Sequence, residues 1–322
     1  MIKSPNVVRQ LKHVSRITSQ ISSKRLLSTS PILRHQDKKT STSQDEMDHF
    51  NQLASTWWDV NGPQRILHKM NLLRMDFIQS TLRENIPLNE GVLNKEEEIY
   101  VPGYSLDLLP EQIRNAIVHE QESKRDQVIS QMPKYKILDI GCGGGILTES
   151  LARLPTVESV KGIDLSTDVL EAAKLHKALD PALTDKISYQ LMPIEDISKS
   201  EKYDIITMFE MLEHVNFPSE VLGSALSHLK PNGWLFISTI NRDFISWFTT
   251  IFMGEYVLNI VPKGTHHLEK YINESEVQDW FKEKPQFEVV KSEGCMYLPF
   301  KGWVYSGNAS VGNYFMAIRR VK

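Results

Sequence analysis

The chain has 322 residues, 41% of them hydrophobic and 24% charged, with a formal charge of −3 at pH 7. That length suits one elaborated α/β domain of about 200 residues with extensions, and the lack of any run of eighteen apolar residues argues against a membrane-spanning helix. The two cysteines, Cys142 and Cys295, make neither a metal-ligand pattern nor a disulfide scaffold, which fits a reducing compartment.

Residues 1–36 carry seven Lys or Arg and no Asp or Glu, are rich in Ser, and space apolar residues such as Val8, Leu11, Ile17 and Leu26 among them. A basic, acid-free amphipathic start predicts a mitochondrial transit peptide, cut between Arg25 and Arg34. Without it the body is left at about −10, which argues against nucleic acid as a partner. Thr40-Ser-Thr-Ser-Gln44 reads as a linker. An N-terminal helical cap and insertion is expected over 45–131: a helix through Phe50 and Leu53, the pair Trp57-Trp58, an amphipathic helix from Leu67 to about Leu82, an irregular stretch, and a charged helix from Pro110 to Gln131.

Over 132–322 the rhythm becomes strand, helix, strand. Strands are predicted at 135–140, 159–164, 187–191, 203–208, 234–239, 286–291 and 312–319, and helices at 146–153, 167–179 and 218–229. This alternation implies an α/β fold, a seven-stranded, mostly parallel sheet with helices on both faces. No helix follows the last strand, which is expected as an antiparallel edge.

The first strand ends in Asp139-Ile-Gly-Cys-Gly-Gly-Gly145. Glycines such as Gly141 and Gly143 permit positive φ and let the backbone approach a ligand closely. Asp139 selects among cofactors. It would repel the pyrophosphate that a dinucleotide brings to such a turn, whereas S-adenosylmethionine (SAM) has no phosphate and carries a sulfonium and an ammonium. The loop therefore reads as the SAM site of a class I, Rossmann-like methyltransferase. Asp164, at the end of the next strand, is the expected ribose ligand. Glu195-Asp196 is placed near the adenine edge.

After the fourth strand comes Glu210-Met-Leu-Glu213-His214. If this piece is helical, Glu213 and His214 share a face with Glu210 at i+3 and i+4. Two carboxylates and an imidazole would then meet at one point and suit Mg²⁺, Mn²⁺ or Zn²⁺. The same spacing serves a cap or a hydrogen-bonded network without metal. The chemistry needs one or the other, because at neutral pH only about one phenol in a thousand is ionised. Either a metal lowers the acceptor's pKa or a base such as His214 takes its proton, and alignment of oxygen, methyl and sulfur does the rest. Farther on, Phe244, Trp247, Phe248, Ile251 and Phe252 fall at helical spacing, with Lys263, His266, His267 and Lys270 close behind. Segment 243–270 is expected to lie on a bilayer interface, to act as a substrate lid, or both.

Six stretches stand in a telling order: Trp57-Trp-Asp59, Leu67-His68 with Asn71-Leu-Leu-Arg74, Leu138 to Gly145, Glu210 to His214, Ser238-Thr-Ile-Asn-Arg242, and Val261-Pro-Lys-Gly-Thr-His266. Together they resemble the ubiquinone-biosynthesis O-methyltransferases in their mitochondrial form, over residues 45–322. The resemblance implies SAM as donor and methylation of two polyprenylated catechols, a 3,4-dihydroxy-5-polyprenylbenzoate and a demethylubiquinol. It implies a metal site at Glu210, Glu213 and His214, with Mg²⁺ the foremost ion, and catalytic work for Glu213 and His214. Arg74 matches the family's cofactor-binding arginine, suited to the methionine carboxylate. Gly141 and Asp164 carry over likewise, and Phe209 through its backbone. His68 is not expected to line the acceptor pocket. Work within a multi-enzyme complex follows from the same likeness, and the apolar face of segment 243–270, with a polyprenyl substrate held in the bilayer, predicts peripheral attachment on the matrix side of the inner membrane. Two other readings are a nicotinamide oxidoreductase, disfavoured by Asp139, and a non-catalytic lipid-binding scaffold, which would not need Asp139, Asp164, Glu210, Glu213 and His214.

Overall fold

The computed structural model describes residues 51, 53–62, 64–86, 108–246, 268–298 and 301–321. The predicted transit peptide, the linker, most of the first predicted helix and most of segment 243–270 lie outside the described residues.

Helix α1 (Arg65–Glu84) is the predicted amphipathic helix. It buries Met70, Phe77 and Ile78 along one stripe. Helix α2 (Glu111–Gln131) is the predicted charged one; none of its residues is buried. Its ties to α1 include the ion pairs of Arg83 with Glu122 and with Asp126. The alternating part then runs β1 (Tyr135–Ile140), α3 (Ile146–Ala152), β2 (Val157–Asp164), α4 (Thr167–Lys177), β3 (Ile187–Leu191), β4 (Tyr203–Phe209), α5 (Pro218–Ser227), β5 (Leu229–Ile240), α6 (Glu274–Lys282), β6 (Phe287–Leu298), β7 (Gly302–Tyr305) and β8 (Asn313–Arg320). Three starts are chemically marked: Ser166 caps α4 by accepting the Val169 N–H, Pro218 opens α5, and Asn273 with Glu276 forms a capping box at α6.

The sheet order is β3-β2-β1-β4-β5-β8-β6-β7. Strands β1 to β5 pair in parallel, and β8 pairs antiparallel with both β5 and β6. Two expectations are corrected here. Among the described residues the sheet has eight strands, because β7 folds back on β6 as an antiparallel partner. The last strand is antiparallel but not an edge: it lies inside the sheet, and Asn313–Ile318 are all buried. Its unbroken apolar run Tyr314-Phe-Met-Ala-Ile318 is what a strand covered on both faces requires.

Strand alternation sends successive residues to opposite faces, and each face has its own core. On one, Ile137, Ile205, Phe236 and Phe315 pack with Phe77 of α1 and Leu151 of α3. On the other, Leu138, Ile206, Ile237 and Tyr314 pack with Leu222 of α5 and Phe281 of α6. Asn241 ties the end of β5 to its neighbours: its amide donates to the Ala309 and Gly312 carbonyls, and its oxygen accepts the Glu274 N–H. Arg242 beside it donates to the Tyr271 carbonyl and pairs with Glu276. Among the described residues no helix is long and apolar enough to cross a membrane.

Candidate active site

Connections reverse direction between β1 and β4, and the crevice at their carboxyl ends is where doubly wound sheets bind ligands. In the turn after β1, Gly141, Gly143 and Gly145 have φ of 69°, 53° and 86°. Side chains with a Cβ rarely adopt such angles, so the backbone itself demands glycine. Space is the second demand. A Cβ on Gly144 would lie 2.1 Å from Trp57 Cδ1, and one on Gly143 2.7 Å from Trp57 Cζ2. The Trp57 indole thus rests across this part of the loop, buried in a small cluster with Ala54, Ile146 and Val169. Trp58 locks the cover down. Its indole N–H donates to the Gly144 carbonyl at 2.9 Å, and its ring stacks on His176 at 3.4 Å between centroids. His68 Nε2 donates to the Trp57 carbonyl at 2.9 Å, a structural bond. A ligand reaching that face of the loop requires Trp57 to shift.

The two acids stand at the ends of adjacent strands. Asp139 is buried, and its oxygens accept hydroxyl bonds from Thr207 at 2.7 Å and Thr148 at 2.6 Å. Burial pushes its carboxyl pKa up, against the pull of those hydroxyls and of Arg74. With both oxygens engaged by β4 and α3, its influence on the crevice is electrostatic. Asp164 accepts the Gly143 N–H at 2.8 Å on one oxygen and the Ser166 N–H at 2.9 Å on the other. Burial raises its pKa as well, offset by these backbone donors. Glu195 and Asp196 form a 3₁₀ turn beyond β3 with both side chains exposed.

Arg74 enters from α1 and is 7% exposed. Its guanidinium lies over the Phe209 ring, 5.6 Å from the centroid, and pairs with Glu210. Burial lowers its pKa to about 10, against the pull of Asp139, so it stays charged at neutral pH. Its Nε is buried without a hydrogen-bond partner. The Phe209 ring is thus the platform under Arg74, a contact separate from the backbone role that the resemblance implies.

The predicted helical convergence of Glu210, Glu213 and His214 does not form. Glu210 sits at φ 47°, outside any right-handed helix, and only Leu212–His214 make a 3₁₀ turn. The Glu210 N–H donates to the Ser238 hydroxyl at 3.0 Å, and the Glu210 carboxylate accepts from that hydroxyl in return. Glu213 instead accepts from the Thr239 hydroxyl at 2.8 Å. Ser238 and Thr239 are successive residues of β5 and face opposite sides of the sheet, so the two glutamates diverge with them. His214 is half-buried in the turn. Among the described residues no three His, Cys, Asp or Glu side chains gather to hold a metal ion. The donor types suit a divalent cation, but as arranged the trio does not fit one.

The chain is similar to known methyltransferases. Residues 100–292 match the family described as a methyltransferase domain. A relative from Candida albicans, the mitochondrial ubiquinone biosynthesis O-methyltransferase, is 59% identical over 315 residues, 96% of this chain and 95% of its own length. The protein of the same name from Saccharomyces cerevisiae is 51% identical, covering 88% of this chain and 90% of its own. The chain belongs to the ubiquinone biosynthesis O-methyltransferases. It is a SAM-dependent O-methyltransferase of ubiquinone biosynthesis, built on the class I methyltransferase fold. Among solved structures, the plantazolicin methyltransferase BpumL in complex with SAH is 21% identical, with a TM-score of 0.45 over 61% of this chain and 79% of its own.

Within this ubiquinone biosynthesis O-methyltransferase, the crevice brings together Asp139, Gly141, Gly143, Asp164, Arg74, Phe209 and Glu210. It leaves Glu213 on the other side of β5. Four site residues escaped the sequence reading: Thr148 and Thr207, which hold Asp139, and Ser238 and Thr239, which hold the two glutamates. Ser238 and Thr239 lie in a stretch that did draw notice, and strand alternation was the signal that they part company.

Proposed function

We propose that this O-methyltransferase methylates a catechol hydroxyl of 3,4-dihydroxy-5-polyprenylbenzoate and of demethylubiquinol, working from the matrix face of the mitochondrial inner membrane. The observation that carries the reading is the polarity of the crevice. Two carboxylates, Asp139 and Asp164, flank the glycine loop, and one buried guanidinium, Arg74, stands at the end of β4. A donor with a sulfonium and an ammonium beside a carboxylate matches that distribution, and the unpartnered Nε of Arg74 is a donor awaiting an acceptor.

SAM supplies an electrophilic methyl group on its sulfonium. Arg74 binds the methionine carboxylate, and Asp164 accepts from the ribose hydroxyls with the lone pairs its backbone bonds leave free. His214 takes the acceptor's phenolic proton as the new C–O bond forms and the C–S bond breaks, its electron pair staying on sulfur. Glu213, tied to Thr239, fixes the turn that presents His214. A divalent cation would be held by Glu210, Glu213 and His214. To bind it, Glu210 would have to leave Arg74 and Ser238, and Glu213 to leave Thr239.

The mitochondrial address is supported by the names of the fungal relatives and by the basic, acid-free start of the chain. Peripheral attachment through 243–270, and service in a multi-enzyme complex, are consistent with the large apolar residues of that segment.

The test is turnover of a short-chain prenylated catechol with SAM, followed by mass spectrometry, alongside calorimetry with SAM and with NAD. Methylated catechol and SAM binding are expected. NAD binding, or SAM binding with no product, would overturn the reading. Chelator and Mg²⁺ add-back separate two routes. Activity lost and then restored by Mg²⁺ means that Glu210, Glu213 and His214 regroup around a cation; undiminished activity leaves the proton to His214 alone.

A further inference from the structure

The ion pair between Arg74 and Glu210 joins residues 136 apart, and both side chains are largely withdrawn from water, at 9% and 15% exposed. A buried pair is a poor way to add stability, since desolvation offsets much of the attraction. This one also needs an unusual backbone. Glu210 is one of two non-glycine residues at positive φ among the described residues. It is kept there by bonds from its N–H to the carbonyl and hydroxyl of Ser238, and from there its carboxylate turns back onto Arg74.

The bond is incomplete on the arginine side. Glu210 engages one terminal nitrogen of the guanidinium, while Nε stays buried and without a partner. Carboxylates bind guanidinium best through two parallel N–H bonds. An incoming carboxylate that takes Nε together with the terminal nitrogen would outcompete Glu210 and displace it.

We propose that Glu210 is an internal stand-in for the cofactor's methionine carboxylate. In the cofactor-free protein it holds Arg74 in place over Phe209. When the ligand's carboxylate arrives, Arg74 changes partner and Glu210 is released. Glu210 is thus a positioning residue whose occupancy of Arg74 lowers cofactor affinity. The inference rests on the proposed role of Arg74.

S-adenosylhomocysteine (SAH) and 5′-methylthioadenosine separate the possibilities. They share adenosine and a thioether, and only SAH has the carboxylate. Calorimetry on the full chain should find that Glu210→Gln binds SAH about 3- to 10-fold more tightly, because a buried guanidinium left without its counter-ion gains most from a new one. Methylthioadenosine should bind the variant and the parent equally. Weaker SAH binding by Glu210→Gln, or an equal change for both ligands, would overturn the exchange. Arg74→Ala guards the premise: it should weaken SAH and spare methylthioadenosine, and if SAH is unaffected the placement of the carboxylate fails and the exchange falls with it. Should Glu210→Gln melt too early to titrate, Ser238→Ala loosens the same carboxylate without changing a charge. It should shift SAH alone in the same direction by a smaller factor; no shift, or a shift in both ligands, would overturn the exchange.

Discussion

A single methyl group at Gly144 asks how tightly Trp57 closes the glycine loop. Gly144 is not among the residues with positive φ, so its backbone accepts alanine. The obstacle is space: the new Cβ would lie 2.1, 2.4 and 2.5 Å from Trp57 Cδ1, Cγ and Nε1. Ordinary contact is about 3.5–4 Å, so the indole must retreat by about 1.5 Å. A buried tryptophan is worth about 4–5 kcal/mol by its area, and a retreat that forfeits about half its contacts costs about 2 kcal/mol. Trp57→Ala alone should cost about 3–5 kcal/mol. In the double variant the methyl meets vacated space, so the pair should be no less stable than Trp57→Ala alone, a coupling of about 2 kcal/mol. Urea unfolding of the four proteins measures this. Hydrogen exchange at the amides of 53–62 detects any local opening that the global transition misses. Additive losses in both readouts would refute the contact.

Three other perturbations probe separate parts of the crevice and its supports. Burial raises the Asp139 pKa in the folded protein, so its stabilising contribution is greatest below the unfolded carboxylate range and is lost as pH rises through the folded value. Asp139→Asn should therefore melt higher than the parent at about pH 7, with the advantage closing near about pH 4, while calorimetry shows weaker SAM binding; a variant that melts lower at neutral pH would mean the charge is stabilising. Glu213→Gln should cut turnover by at least about tenfold and leave SAH affinity within about threefold, and equal losses in rate and affinity would place Glu213 on the cofactor instead. The Tyr305 hydroxyl lies 2.9 Å from the Asp76 carboxylate and 3.1 Å from the Leu73 carbonyl, clasping β7 to α1. Tyr305→Phe should cost about 1 kcal/mol in urea unfolding without moving SAH affinity.

What could be read from the sequence divides by range. The glycine turn, Asp139 and Asp164 were legible because strand, turn and helix are set by neighbours in the chain, and the positive φ angles fall on three of the loop's glycines. The strand boundaries of β1, β3 and β4 were legible for the same reason. Pairing was not. Nothing local says that β8 slots between β5 and β6, although its lack of polar alternation was a hint of burial on both faces. β7 is four residues long and gains its partner only by folding back on β6. Glu210 was misjudged because helical spacing was assumed for a glutamate, and its left-handed backbone depends on Ser238, 28 residues away. The place of Trp57 was not legible either, because the face it covers is created by the missing side chains of Gly143 and Gly144.

The place of β8 bears on how the chain is made. The ribosome delivers this strand after β6 and β7, yet both reach the rest of the sheet only through it. Until it emerges, the flank of β5 from Trp234 to Ile240 has no ladder partner, and an apolar strand left bare in this way recruits foreign chains. The nascent protein should therefore lean on chaperones late in synthesis, and a truncation that removes β8 should strand β6 and β7 as well, disabling three strands at a stroke.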